Sequence, residues 1–131
     1  MATNLETIER AMRLIGVIDI EASAAARQGV IGLKALNEML TRWEANNLPL
    51  GYTTQTSLSA TIPVPDEALS TVAHGLAVEL APEYGVTASQ VVAMAFNAGY
   101  RALLNDAFIV TPNDMSHAPG ARSRWDINTD S

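Results

Sequence analysis

The sequence contains no cysteine, and that absence removes two classes of protein. Neither a disulfide framework nor a cysteine-based zinc site can form. Positive charge is also scarce: eight Lys and Arg stand against fourteen Asp and Glu, a net charge of −6. The eight are Arg10, Arg13, Arg27, Lys34, Arg42, Arg101, Arg122 and Arg124, and they are spread along the chain. Such a balance argues against affinity for nucleic acid through phosphate neutralisation, so no specific DNA binding is expected. No apolar run approaches the roughly eighteen residues of a membrane-spanning helix. The start, Met1 to Glu6, carries acid where a secretory leader carries base, and no apolar segment follows. A soluble protein made in the cytoplasm is expected, without membrane contact.

The 131 residues suit one domain. The hydrophobic fraction of 48% needs unpacking, because 21 of those 63 residues are alanine, against 13 Leu, 9 Val and 8 Ile. Alanine is the best helix former and buries little area, so the composition favours closely approaching helices over a thick sheet core. An all-α fold is expected, an antiparallel four-helix bundle-like subunit with a short polar strand or hinge between its second and third helices. Residues 1–106 form the helical domain in this reading, and residues 107–131 form an extended C-terminal tail.

Helix signals divide the chain. Thr3 and Glu6 stand at capping-box spacing, Leu5, Ile8, Met12 and Ile15 recur at helical steps, and Gly16 is placed to end the first helix. The second helix is expected from near Ser23 to Asn46, with the stripe Ala26, Val30, Leu33, Leu36, Leu40 and Trp43. Gly29 and Gly32 weaken its first half by about 1 kcal/mol each relative to Ala. They either admit a neighbour at close range or mark a later start. Asn46 to Gly51 is turn chemistry, and Tyr52 to Thr61 alternates weakly apolar with polar residues, a strand pattern. Pro65, Asp66 and Glu67 open the third helix, with stripe Leu69, Val72, Leu76 and Leu80, and Gly85 closes it. Thr87 and Gln90 are spaced as a capping box for the fourth helix, expected to end near Asn105 with Val91, Met94, Ala95, Ala98, Ala102 and Leu103 inward. Phe108-Ile109-Val110 reads as a short strand, and Thr111 to Ser131 has no helical period.

No arrangement of side chains signals catalysis, cofactor or metal. His74 and Glu79 lie five positions apart and do not share a helix face, and Asp114 and His117 fall in the tail. Asp66 and Glu67 serve a helix dipole first. Glu79 and Glu83 lie one turn apart and form the best acid–base pair available, although solvated helix charges account for them equally well. No phosphate-binding loop, nucleophile elbow or dinucleotide fingerprint occurs. The tail carries apolar residues in a polar, proline-containing segment that reaches roughly 80 Å when extended, a pattern of strips that order against a partner.

Arg13-Leu14-Ile15-Gly16-Val17, Leu36 to Trp43, and Leu48-Pro49-Leu50-Gly51-Tyr52 together resemble the first half of the P22-type tail accessory factors of bacteriophages. Gly75 to Gly85 resembles the family's Asn-Leu-Ala-x-x-x-Ala-Pro-x-Tyr run, with Gly75 in place of Asn. The resemblance covers roughly residues 5 to 105 in order. It implies a non-enzymatic head-to-tail connector, a ring expected to be twelve-fold like the portal protein above it, at the head–tail junction of the virion. It also implies contact with the next tail protein, a nozzle or terminator, and a channel through which genomic DNA passes without specific binding. Carried over, Phe108, Ile109, Val110, Arg122, Arg124 and Trp125 become portal-binding candidates. Leu48, Pro49, Leu50 and Tyr52 become candidate contacts to a neighbour or the next tail protein. The rival readings are a small cytosolic helical interaction module and a tail-associated peptidoglycan hydrolase using Glu79 or Glu83.

Overall fold

A computed structural model describes residues 2–109. Four α-helices occur among them: α1 (Asn4–Leu14), α2 (Ala26–Ala45), α3 (Leu69–Leu80) and α4 (Gln90–Ile109). Short 3₁₀ turns at Asp66–Ala68 and Pro82–Tyr84 flank α3.

The helix ends follow local chemistry. The Thr3 hydroxyl accepts the Glu6 N–H at 3.1 Å, and the Glu6 carboxylate accepts the Thr3 N–H at 2.9 Å, completing the expected box. α1 ends where Gly16 turns left-handed (φ 74°), with Gly16 N–H on Arg13 C=O and Val17 N–H on Met12 C=O. The same two-bond closure ends α2, but here the left-handed residue is Asn47 (φ 69°) and the residue after it, Leu48, is buried. At α4 the cap is Ser89, whose hydroxyl accepts Val92 N–H at 3.2 Å, rather than the expected Thr87.

α3 packs against α1, α2 and α4, while α1 also packs on α2. The helices therefore gather around α3, in the all-α class expected from the composition. The core runs through Ile8, Met12, Leu36, Leu40, Trp43, Val72, Leu76 and Leu80. Glycines set the close approaches. A Cβ at Gly32 would collide with the Ile8 side chain of α1, one at Gly99 with Thr71 of α3, and one at Gly75 would lie 2.8 Å from the Phe96 ring and 3.0 Å from Trp43. Trp43, Phe96 and Tyr100 form one aromatic cluster, with ring centroids 5.1 to 5.8 Å apart.

Three sequence expectations are corrected. The Tyr52–Thr61 strand does not form; among the described residues the one β-type pairing is an isolated bridge between Thr3 and Thr61. The segment finds its hydrogen-bond partners on α1 and α2 instead, as described below. α4 runs through Ile109, so Phe108 and Ile109 are helical and not strand, and the helix continues past the expected start of the tail at 107. Two stripes are also only partly inward: Leu36, Leu40 and Trp43 on α2 and Leu103 on α4 are buried as expected, and others are not. On α2 Val30 is 65% exposed and Ala26 is exposed, because Gly29 and Gly32 are the residues turned inward. On α4 Val91, Met94, Ala95, Ala98 and Ala102 face outward, because the larger Phe96 and Tyr100 take the inner face with Val92 and Leu103.

Candidate interaction surfaces

Residues 48–62 form a strap over α1 and α2, and side-chain amides hold it. The Asn37 Oδ1 on α2 accepts Gln55 N–H at 2.9 Å and its Nδ2 donates to Gln55 C=O at 2.9 Å. The Tyr52 hydroxyl donates to the same Asn37 oxygen. Burial pushes the Tyr52 phenol up to about 12, and the Gln55 backbone opposes that shift. Asn4, fully buried at the start of α1, donates through Nδ2 to Ser57 C=O at 2.8 Å and to Gln55 Oε1 at 3.0 Å. Main-chain bonds from Asn4 N–H to Ala60 C=O, Leu5 N–H to Leu58 C=O and Ile62 N–H to Ala2 C=O complete the attachment.

This attachment redefines the contact candidates at the turn. Leu48 and Tyr52 are core residues, 2% and 8% exposed, so they serve the fold and have no surface to offer a neighbour. Pro49 is exposed and Leu50 half-buried, and these two remain at the surface. Beside the strap an open groove of about 610 Å³ is lined by Val30, Leu33, Lys34, Asn37 and Leu58.

The second surface is the outer face of α4. Val91 is 77% exposed and Met94 61%, and Ala95, Ala98 and Ala102 continue the row at helical spacing. No charged residue occurs between Glu83 and Arg101, so the first half of this face is uncharged as well as apolar. Sequence periodicity marks these same residues as apolar and predicts them inward.

The portal candidates Phe108 and Ile109 fall on the last turn of α4. Val110, Arg122, Arg124 and Trp125 lie outside the described residues, as do Asp114 and His117. The Glu79 carboxylate forms an ion pair with Arg42, joining α3 to α2, while Glu83 sits on the following 3₁₀ turn. His74 Nδ1 lies 2.7 Å from the Ser70 carbonyl, one turn back on its own helix. Burial, and the Glu83 charge to a lesser degree, push the Tyr84 phenol up. Among the described residues no group of three or more His, Asp and Glu side chains is placed to hold a metal. No described helix is long and apolar enough to cross a membrane.

The surfaces are thus apolar and backbone-type contact surfaces. A family model described as P22 tail accessory factor matches residues 3–123, nearly the whole chain. The chain belongs to the P22 tail accessory factor family. It is a P22-type phage tail accessory protein, structural in role and associated with the virion. Comparison with curated proteins returns no significant match. Gly75 opens the Gly75 to Gly85 run at a tightly packed position. Trp43 and Phe96 close over that position, and a Cβ would meet both rings.

Proposed function

We propose that this tail accessory protein is a head-to-tail connector that docks under the portal as a ring, twelve-fold like the portal itself. The ring completes the head after DNA packaging and seats the next tail protein, a nozzle or terminator. Membership of the tail accessory family over residues 3–123 carries this reading. The outer face of α4 supports it: exposed Val91 and Met94 with Ala95, Ala98 and Ala102 form a face that a lone domain has no reason to keep free of charge. A ring needs two different faces per subunit, one for each neighbour, and α4 supplies one of them. The role is scaffolding and involves no catalysis. Net charge −6 suits a channel that DNA traverses without adhering. Residues after α4, including Val110, Arg122, Arg124 and Trp125, extend to the portal together with Phe108 and Ile109 at the helix end.

Mixing the full chain with its cognate portal ring tests this, read by native mass spectrometry and electron microscopy. A ring of bound copies in register with the portal is the expected result. A chain that stays a monomer beside an unaltered portal ring overturns the connector assignment. Removing residues 110–131 leaves α4 whole and is expected to abolish docking; docking at full strength would sink the portal-anchor role of the tail.

A further inference from the structure

We infer that the outer edge of residues 53–57 is a docking edge for an extended, uncharged strand of a different polypeptide, added through backbone hydrogen bonds. The inner edge is already occupied. Asn37 exchanges one donated and one accepted bond with the backbone of Gln55, as a residue on a partner strand would. Two residues on, Ser57 C=O also turns inward, to Asn4. N–H and C=O of one residue point the same way in extended backbone, and successive residues alternate. With Gln55 and Ser57 facing the helices, the N–H and C=O groups of Thr54 and Thr56 face away from them. Both residues are exposed, and among the described residues none of these four groups has a hydrogen-bond partner.

An open edge of this kind invites strand addition, and natural edges commonly block it with lysine, proline or a bulge. Here residues 53–57 are Thr-Thr-Gln-Thr-Ser, and no charged residue occurs from 45 to 65. The charge match selects the occupant. With no charged residue from 45 to 65 to pair with, a charged strand of either sign gains no ion pair along this edge. An acidic one is also repelled by the net charge of −6, whereas an uncharged β-branched strand pairs its side chains with Thr54 and Thr56 at no electrostatic cost. Pairing this edge with the same edge of a second copy is two-fold, which a head-to-tail ring does not use. In that one respect the inference rests on the connector reading.

The test uses the full chain, with amide hydrogen exchange followed by NMR. The probes are capped Thr-Val-Thr-Val-Thr at millimolar concentration and the same peptide N-methylated at alternate residues. In the free chain the Thr54 and Thr56 amides are expected to exchange near unprotected rates. The unmethylated peptide is expected to slow both by about tenfold, and the methylated one to leave them unchanged. A Thr54→Pro, Thr56→Pro variant loses two outward donors and no internal bond, so it is expected to melt at the same temperature. Protection already present in the free chain, or rising with its concentration, overturns the inference in favour of an occupied or self-paired edge. No protection by the unmethylated peptide overturns it outright. None of these readouts involves the portal, so failure of the connector reading registers separately.

Discussion

At the scale of single residues, glycine decides more than its share. Gly29 and Gly32 stand three apart on α2, and both are turned inward. A Cβ at Gly32 would meet Ile8, whose branch point lies in the fully buried core, so nothing nearby can yield. At Gly29 the obstacle is the tip of Leu58 at 2.8 Å, the far end of a half-buried side chain that can rotate away. Gly32→Ala is therefore expected to destabilise the fold by about 1–3 kcal/mol through overpacking. Gly29→Ala is expected to be neutral or to gain up to about 1 kcal/mol from helix propensity. Urea unfolding of the two variants separates them; equal effects would show that neither close approach matters. Of the two alternatives left open by the sequence, close approach is the one that holds: Gly32 admits α1 closely, and both glycines lie inside α2, which starts at Ala26.

Tyr52 provides a titration at the same scale. Its folded-state value is raised from 10 to about 12 by burial, so the folded chain favours the neutral phenol. The resulting stabilisation is complete below about pH 10 and is lost as pH rises through about 12. Melting temperature is expected to fall over that interval, and Tyr52→Phe is expected to remove much of the fall. A variant that loses stability with the same alkaline profile as the parent would assign the titration elsewhere.

At the scale of elements, the strap formed by residues 48–62 is the least predictable part of the chain. Alternation from Tyr52 to Thr61 predicts a strand with a strand partner, but residues 58–60 form a turn and bend and the segment pairs with helices instead. The partner is Asn37, a polar residue on α2 that carries no pattern of its own. One side-chain amide can satisfy one residue's N–H and C=O, so no second strand is required. Asn37→Ala leaves Gln55 N–H, Gln55 C=O and the Tyr52 hydroxyl without that partner. A loss of about 2 kcal/mol or more is expected, given the cost of stranding half-buried polar groups. Proteolysis is expected to cut first within 48–62 in the variant, and digestion elsewhere first would contradict the role given to Asn37.

At the scale of the whole molecule, the α4 face links fold to assembly. Ala98 is exposed near the middle of an apolar row, and it contributes little to the isolated domain. Ala98→Glu is expected to leave stability within about 0.5 kcal/mol of the parent, as for other surface substitutions. On the portal, the same change is expected to weaken ring formation by adding charge to a dry contact. Ring occupancy measured against portal concentration checks this. Undiminished occupancy would mean that α4 faces solvent or the channel in the assembly.

What the sequence determined by itself was local. A capping box, a left-handed stop position and a helical period are written within a few residues of one another, so the start and stop of α1 could be read directly. By contrast, α3 is shorter than the span from Pro65 to Gly85 read for it, with 3₁₀ turns taking both ends. The alanine-rich composition likewise foretold close helix approaches, which Gly32, Gly75 and Gly99 now make concrete. Which face of a helix turns inward was decided only in three dimensions. On α4 two apolar faces compete along the same twenty residues, and the aromatic face wins because Trp43 and Gly75 offer its rings a fitted place. The losing face, Val91 through Ala102, stays outside for the same reason. Periodicity counts apolar residues along one chain, whereas burial depends on the shape of what stands opposite.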